Sequence, residues 1–295
     1  MPLRNAHMKS IAFRMTSVAI PLLLLVCSYL TAGNQSRPST TGILGAFGDE
    51  VAILEQAMTD ARPQTILGVR FVTGTLKGRS VVVASSGVGK VNAAMCATLL
   101  IDHFMPSEVI FSGIAGSINP GLHPGDIVIG EKTAHHDMGT LDPEGMHYRG
   151  MRSPVDWQPN PVYFDADPRL LLAAEAARKS VSLEKIASSE GERTPVIVRG
   201  IIVTGDVFVA SPAKKEELRK ALQADAVEME GAAVAQVCRE LGVPCLVIRS
   251  ISDTADAKAR QEASLFFPIA AQNSALFVQS IVEQLPRPHH GFAIE

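Results

Sequence analysis

Six short stretches of the sequence contain glycines or end apolar runs; five of them carry a carboxylate, a hydroxyl or an arginine, and four of the six contain an acid. They are residues 47–50, 85–90, 113–116, 204–208, 228–230 and 249–253. Carboxylates held in different surroundings can take separate roles in one reaction, one as proton donor and another as base. The stretches therefore predict a site for acid and base chemistry, provided that the fold brings them together.

In the segment AVEMEGAAVAQVC, residues 226–238, Glu228 and Glu230 stand directly before an apolar helical run. Burial of this run would require the desolvation of two carboxylates. A buried carboxylate is unfavourable unless hydrogen-bond donors or an opposite charge offset its desolvation. These glutamates could lie at the surface, since acids are common in the first turn of a helix. Otherwise the fold must supply buried donors to them.

Strand-like and helical runs alternate along the chain from Thr41 onward. Strands are predicted at residues 41–47, 108–116, 126–134, 196–205, 225–229 and 244–252, and a hairpin at residues 68–86. Helices are predicted at residues 49–58, 89–104, 168–179, 213–222 and 231–242, followed by a C-terminal helix that ends at residue 284. This order predicts one α/β domain over residues 41–285, a mixed twisted central β-sheet flanked by helices.

The position of the six stretches within this order matters, because each one lies at or just after the carboxyl end of a predicted strand. In α/β sheets, ligands bind at the carboxyl ends of strands. Residues 135–168 lack periodicity and are predicted to form a long loop, and residues 180–194 a polar connection. We therefore expect the acids to meet at one edge of the sheet.

Composition excludes several classes of function. The chain is 46% hydrophobic and 19% charged, as a globular protein with a core is, and its net charge of −3 gives no sign of nucleic-acid binding. Cys96, Cys238 and Cys245 follow the N-terminal region, and this odd number at irregular spacing fits neither a disulfide framework nor a metal site. No cofactor is predicted.

The first 33 residues differ from the rest of the chain. A basic head precedes the uncharged run at residues 17–33, and small residues close that run. This pattern is typical of a secretory signal peptide, which predicts export to a periplasmic or external space. An uncleaved membrane anchor is the alternative, although the run is short for a span of about 20 residues. Residues 34–40 are predicted to be a polar junction and residues 286–295 a tail.

Each stretch also has an ordinary structural explanation when it is considered alone. Glu50 and Glu230 could be acids at helix starts, and Asp253 could be a turn residue. The SSGVGK stretch could be a tight turn before a helix, and its spacing is not that of a Walker phosphate loop. His135 and His136 are adjacent and point apart on most backbones, so no metal site is predicted there.

The joint occurrence of these stretches in one order is far more specific than any of them alone. The carrying segments are GILGAFGDEV, SSGVGKVNAA, SGIAGSINPGLHPGDIVI, VTGDVFV, VEMEGAAVAQVC and IRSISDTAD. Together they resemble the purine nucleoside phosphorylase and nucleosidase family, and within it the 5′-methylthioadenosine/S-adenosylhomocysteine nucleosidases. The resemblance covers about residues 41–285 and implies a nucleoside phosphorylase-like fold.

The resemblance implies hydrolysis of the N-glycosidic bond of adenine nucleosides. Asp253 would be the acid that serves the purine N7 and the exocyclic amine, and Ser252 would orient it. Glu50 would be the base that activates water, with Ser86 and Arg249 close to that water. A carboxylic acid can donate to N7 and accept from a 6-amino group, which favours adenine over a 6-oxo purine.

The resemblance implies the remaining contacts with the nucleoside as well. Glu230 would accept hydrogen bonds from the ribose hydroxyls, Met229 would pack against the sugar, and Glu228 would begin the turn beside them. Phe208 would stack on the base, and the backbone of Val209 would read its edge.

The same resemblance leaves a phosphorylase as an alternative, because the family runs both reactions. Phosphate binding usually requires arginines. Phe111 stands where the family's phosphorylases have an arginine, and Asp49 with Glu50 would repel phosphate, so water is the predicted nucleophile. A non-catalytic nucleoside-binding or storage protein is a third possibility. Related nucleosidases are dimers, so a homodimer is expected. Ala263 aligns most directly with the family's phenylalanine over the 5′ group, and Phe266 or Phe267 could substitute for it, so the preferred 5′ substituent stays open.

Overall fold

The computed structural model describes residues 39–188 and 191–286, with the backbone alone at Ser188. The signal peptide or anchor predicted at residues 1–33, most of the junction and most of the tail lie outside the described residues.

Six helices and fifteen strands make up this part of the chain. The helices are α1 (Gly48–Gln56), α2 (Lys90–Phe104), α3 (Pro168–Ser180), α4 (Pro212–Leu222), α5 (Gly231–Glu240) and α6 (Ala259–Gln284). The strands are β1 (Thr40–Gly45), β2 (Thr59–Ile66), β3 (Val69–Leu76), β4 (Arg79–Ser85), β5 (Glu108–Phe111), β6 (Ile114–Ser117), β7 (Ile127–His135), β8 (Gly139–Asp142), β9 (Gly145–Tyr148), β10 (Tyr163–Asp165), β11 (Ile186–Ser188), β12 (Gly191–Arg193), β13 (Ile197–Thr204), β14 (Ala226–Glu228) and β15 (Cys245–Asp253).

Eleven strands form one mixed sheet in the order β10-β7-β13-β14-β6-β15-β5-β1-β4-β3-β2. Strands β4, β1, β5, β15 and β6 run parallel to one another, and β7, β13 and β14 form a second parallel group. The two groups meet antiparallel, at β14 with β6 and at β15 with β7. The second of these pairings closes β7, β13, β14, β6 and β15 into a ring. The predicted mixed central sheet is confirmed.

Helices cover both faces of this sheet. Apolar side chains of α1, α3 and α6 pack on one face, where Ile43, Ile110 and Ile248 are fully buried. Helices α2 and α5 pack on the other face around Phe111 and Val247. The buried faces hold the strand ends in fixed positions, which the site below depends on.

Helix α6 is the one helix among the described residues that is long and apolar enough to cross a membrane, and half of its most apolar window is buried inside this domain. Its inner face carries the polar side chains of Asn273 and Ser274, both buried. Asn273 pairs with the backbone of Glu184, and Ser274 with the hydroxyl of Ser112 at 2.7 Å. These contacts are those of a core helix in a globular domain.

Three segments differ from the sequence-based expectation. Strand β2 was not predicted, because it is an exposed edge strand with a proline and no apolar alternation. The predicted long loop contains the hairpin β8–β9 and strand β10, and the polar connection contains the hairpin β11–β12. These strands have only three or four residues each, which is too short for an alternating apolar pattern to make a strand visible in the sequence.

A break also interrupts the strand predicted at residues 108–116, between Phe111 and Ile114. A Cβ placed on Gly113 would lie 3.1 Å from Oε1 of Glu50. The break at Gly113 therefore makes room for a buried carboxylate, which no local sequence signal reveals.

Candidate active site

Glu50 enters the domain from the first turn of α1. Its Oε2 accepts a hydrogen bond from the Phe47 amide at 2.9 Å, which caps the helix start, and its Oε1 accepts from the Ile114 amide at 3.1 Å. The side chain is buried. An ordinary first-turn glutamate would extend into water, so burial against β6 distinguishes Glu50 from a simple capping residue.

The surroundings of Glu50 act on its pKa in opposite directions. Burial raises the pKa, whereas the amide of Phe47 and the positive charge of Arg249 oppose that rise. The net shift is upward, so Glu50 is a stronger base than a glutamate in water.

Glu228, the first glutamate of the VEMEG segment, is buried among protein hydrogen-bond donors. Its carboxylate accepts from the amides of Glu230 and Gly231 at the start of α5 and from the Thr204 hydroxyl. It also accepts from Arg249, with Nη2 at 2.5 Å and Nε at 3.1 Å from Oε2. Both oxygens are engaged by protein donors, so Glu228 forms the predicted turn but has no free oxygen for the substrate contact predicted for it.

Arg249 lies fully buried in the middle of the site. Its Nε and Nη2 donate to Glu228, and its Nη1 donates to the carbonyls of Phe111 at 3.2 Å and Ile248 at 2.9 Å. The guanidinium also lies over the Phe111 ring, 4.2 Å from its centroid. Four of its five N–H groups are thus bonded to the protein.

Glu230, the second glutamate of this segment, has one carboxylate oxygen bonded to the protein and one unbonded. It is buried at the start of α5, and its Oε1 accepts from the Gly89 amide at 2.9 Å. Its Oε2 accepts no hydrogen bond from the described residues, and the nearest cation, Arg249 Nη2, is 3.9 Å away. Burial first, and then the charge of Glu228, raise the pKa of Glu230. Glu230 therefore keeps an acceptor atom available for a ligand.

Asp253 ends β15 and is also buried. Its Oδ2 accepts from the Ser252 hydroxyl at 2.8 Å, and its Oδ1 accepts from the Ala255 amide at 2.9 Å. Burial raises its pKa, the two hydrogen bonds lower it, and the nearby acid Glu262 raises it again. The net rise favours the protonated form, which can donate a proton.

Strand β6 relates the two buried carboxyls. Glu50 bonds the amide of Ile114, and a Cβ placed on Gly116 would lie 2.8 Å from Oδ1 of Asp253. Two residues of an extended strand span about 7 Å. Glu50 and Asp253 therefore both border β6, at positions about 7 Å apart along it.

The expectation that strand ends meet at one edge of the sheet needs a correction. Glu228 ends a strand of one parallel group, and Asp253 ends a strand of the other, and these groups run in opposite directions. The ends come together because β14 and β15 both pair with the short strand β6, so that they overlap there. Glu228 and Asp253 therefore end beside β6, where the two parallel groups meet, and not along a common edge.

The remaining predicted contacts lie around this centre. Ser86 is buried and its hydroxyl donates to the Gly87 carbonyl, Met229 is half-buried, and Val209 is buried. Phe208 is 42% exposed, and the guanidinium of Arg260 lies 5.4 Å from its ring centroid.

Sequence reasoning missed a network that joins three loops. Lys90 Nζ binds Asp137 Oδ1 at 2.6 Å, the Asp206 amide donates to Asp137 at 2.9 Å, and the Lys90 amide donates to Asp206 at 2.8 Å. The network fixes the loop whose Gly89 amide meets Glu230. The three charges are widely spaced in sequence, so only the fold shows their contact.

No group of three or more His, Cys, Asp or Glu side chains within residues 39–188 and 191–286 is arranged to hold a metal ion. His135 and His136 are both buried, and burial lowers the pKa of each. His135 Nε2 lies 3.1 Å from the side-chain oxygen of Gln236.

Comparison with known proteins places this arrangement in a family. The model of the phosphorylase superfamily matches residues 40–283. The chain belongs to the phosphorylase superfamily. This superfamily member is 39% identical over 247 residues to a 5′-methylthioadenosine/S-adenosylhomocysteine nucleosidase of Marinomonas sp. (strain MWYL1), an alignment that covers 83% of this chain and 99% of the relative.

Solved structures give the same placement within the superfamily. The nucleosidase of the same name from Neisseria meningitidis, in complex with methylthio-immucillin-A, has a TM-score of 0.72 and 37% identity, covering 84% of this chain and 100% of that one. Futalosine hydrolase of Helicobacter pylori strain 26695 has a TM-score of 0.71 and 33% identity, covering 84% and 98%. The resemblance in the sequence and the predicted fold are both confirmed.

Proposed function

We propose that this protein hydrolyses the N-glycosidic bond of adenine nucleosides of the 5′-methylthioadenosine/S-adenosylhomocysteine type, releasing adenine and the ribose derivative. The observation that carries the proposal is the pair of buried carboxyls, Glu50 and Asp253, bordering one short strand. Relatives that share at least 37% identity with the chain over most of its length carry the nucleosidase name.

Asp253 supplies the proton. Adenine is a poor leaving group until N7 is protonated, and Asp253 has a raised pKa and a Ser252 hydroxyl that orients it. When the C1′–N9 bond breaks, its electron pair passes to the base while Asp253 gives its proton to N7. Positioned proton transfer of this kind contributes about 10²–10⁴-fold.

Glu50 receives the proton of water. As positive charge develops on C1′, the water oxygen bonds to that carbon and its proton passes to Glu50. Arg249 and Ser86 lie close to this water in the proposal. The raised pKa of Glu50 suits it to accept the proton, and the amide of Ile114 fixes the carboxylate in place.

Glu230 holds the sugar. Its unbonded oxygen accepts from the ribose hydroxyls, and Met229 packs against the ring. Charge-assisted hydrogen bonds of this kind are roughly twice as strong as neutral ones. Phe208 stacks on the base, and the Val209 backbone reads the base edge. Glu228 acts through the protein, because it fixes both Arg249 and the start of α5.

The state of Arg249 favours water over phosphate as the nucleophile. Four of its N–H groups already bond protein acceptors, so it cannot offer the bidentate grip that a phosphate dianion needs. Phe111 occupies the position of a second arginine, and the Glu50 carboxylate would repel the anion.

We also propose that the protein is a homodimer. Val88, Val91 and Met95 form an exposed apolar strip at the start of α2, and Val91 is 79% exposed. Val91 and Met95 are four residues apart in α2 and therefore share one side of the helix, and Val88 lies in the loop that precedes it. Sedimentation of the wild type and of Val91→Glu tests this: a monomeric wild type contradicts it.

Export is a proposal that the N-terminal sequence alone supports. Residues 1–33 are removed as a signal peptide, or residues 17–33 remain as an anchor that contacts the membrane. N-terminal sequencing of the protein recovered from each cell fraction distinguishes the two, and an intact N-terminus in the soluble cytosolic fraction contradicts both.

The reaction itself is tested by measuring free base released from a panel of 5′-substituted adenosines and from inosine, with and without phosphate. We expect adenine release that needs no phosphate and little release from inosine. A strict phosphate requirement would show a phosphorylase. Tight binding of the nucleosides with no base release, unchanged in Asp253→Asn, would show a binding or storage protein.

A further inference from the structure

The turn that follows Asp253 is held in an unusual conformation. Ala255 has φ of 51°, in the left-handed region that alanine rarely occupies, and it is fully buried. Its amide donates to Oδ1 of Asp253, and a Cβ placed on Gly116 would lie 3.1 Å from that of Ala255. Strained backbone of this kind persists only where the surroundings impose it.

Thr254 lies between Asp253 and Ala255, and side chains of two helices form hydrogen bonds with its polar groups. Its amide and its hydroxyl both donate to Oε2 of Glu262, at 2.9 and 2.7 Å. Its carbonyl accepts from Nζ of Lys215 at 2.7 Å. Glu262 lies in the first turn of α6 and Lys215 on α4, so these two helices together clamp the residue after Asp253.

We propose that Glu262 is a positioning residue for Asp253: by clamping Thr254 it holds the left-handed turn whose amide orients the acid. The inference rests on the proposed role of Asp253 as the proton donor. Neither the sequence motifs nor the resemblance points to Glu262.

The charges of Glu262 and Lys215 also act on the pKa of Asp253. Glu262 and Asp256 both raise the pKa of Asp253, in addition to its burial. Lys215 is the cation on the facing helix, and it is coupled by charge to Asp256, Asp253 and Glu262. Removal of Glu262's charge should therefore lower the pKa of Asp253, and removal of Lys215's charge should raise it.

The test compares pH profiles of adenine release by Glu262→Gln, Glu262→Ala and Lys215→Met. Glutamine keeps an acceptor for Thr254 and removes the charge, so the alkaline limb of kcat should move down by about one pH unit. Alanine also removes the acceptor, and kcat should fall at every pH. The alkaline limb of Lys215→Met should move up. Glu283→Gln, an exposed change on the same helix, should match the wild type.

A second readout does not depend on turnover. Adenine binding needs the protonated acid, so its affinity measured by calorimetry against pH should show the same opposite shifts. If the wild type releases no adenine but the binding profiles shift as stated, the proposed reaction fails, and Glu262 still positions Asp253 for binding of the base. If Glu262→Gln overlays the wild type in both readouts, or shifts in the same direction as Lys215→Met, the inference is wrong.

Discussion

Glu50 and Asp253 both border β6, and both are buried with raised pKa values, yet the charged groups around them have opposite signs. Glu50 receives two backbone amides and faces the cation of Arg249. Asp253 has two acids, Glu262 and Asp256, as the charges that raise its pKa beyond the effect of burial.

The difference shows how one kind of side chain can be given two roles. Positive charge and amide donors favour a carboxylate, which can accept a proton from water. Burial among acids favours a carboxylic acid, which can give one to a base. Four predictions test this contrast.

The largest effect is expected at Glu50. Glu50→Gln removes the base, so release of adenine should fall by about 10²–10⁴-fold. The loss should be as large with 4-nitrophenyl riboside, whose leaving group needs no proton, because water must still be activated. Initial rates with both substrates measure this, and Glu55→Gln on the same helix is the control. Full activity of Glu50→Gln would remove the base from the mechanism.

Asp253→Asn should lose as much activity on the adenine nucleoside but far less on 4-nitrophenyl riboside, because only adenine must be protonated to leave. The same rate measurements give this result, with the exposed Asp165→Asn as control. Equal losses on the two substrates would mean that Asp253 does not act as the acid, and the contrast between the two carboxyls would disappear.

Glu230→Gln should have a smaller effect, concentrated in binding. Loss of a charged acceptor for the ribose hydroxyls costs about 1.5–3 kcal/mol, or roughly 10–10²-fold in kcat/KM. A 2′,3′-dideoxy substrate should be hydrolysed equally by the variant and the parent, since it has no hydroxyl to offer. If the variant loses the same factor on that substrate, Glu230 does not hold the sugar.

The smallest effect is on stability. The pKa of Glu230 is raised in the folded protein, so its protonation stabilises the fold below the ordinary glutamate pKa of 4.5, and this contribution is lost as pH rises through the raised value. The Tm of Glu230→Gln minus the Tm of the unliganded wild type should therefore increase between pH 5 and pH 8. Each kcal/mol of stability that the wild type loses over this range should add about 2–4 °C to the difference. Calorimetry at both pH values measures the difference, and a constant offset would contradict it.

Much of the fold follows from the sequence, because long apolar runs carry their own periodicity. Helix α2 was predicted at residues 89–104 and lies at Lys90–Phe104, and α6 ends at Gln284 as predicted. Strand β2 and the short hairpins could not be predicted in the same way, since β2 has no buried face and the hairpin strands are too short to carry a pattern.

The sequence predicted some residues of the candidate site but not the contacts between them. Motif order pointed to Glu50, Glu230 and Asp253, and the structure brings all three to the strands around β6. The partners of Arg249 could not be read from the sequence, because they depend on how β5, β14 and β15 lie against each other. For the same reason Glu228, adjacent in sequence to the sugar contacts, was assigned a substrate contact although its oxygens face the protein.

The closed ring of strands has a consequence for biosynthesis. It joins β6, near residue 115, to β15, which ends at Asp253, and the Glu50 carboxylate is buried against the same strand. A ribosome-bound chain that lacks β15 leaves β6 without one of its two neighbours, and Glu50 without its cation. Pairings this distant in sequence also close slowly. The centre can therefore assemble only once nearly the whole polypeptide has been synthesised.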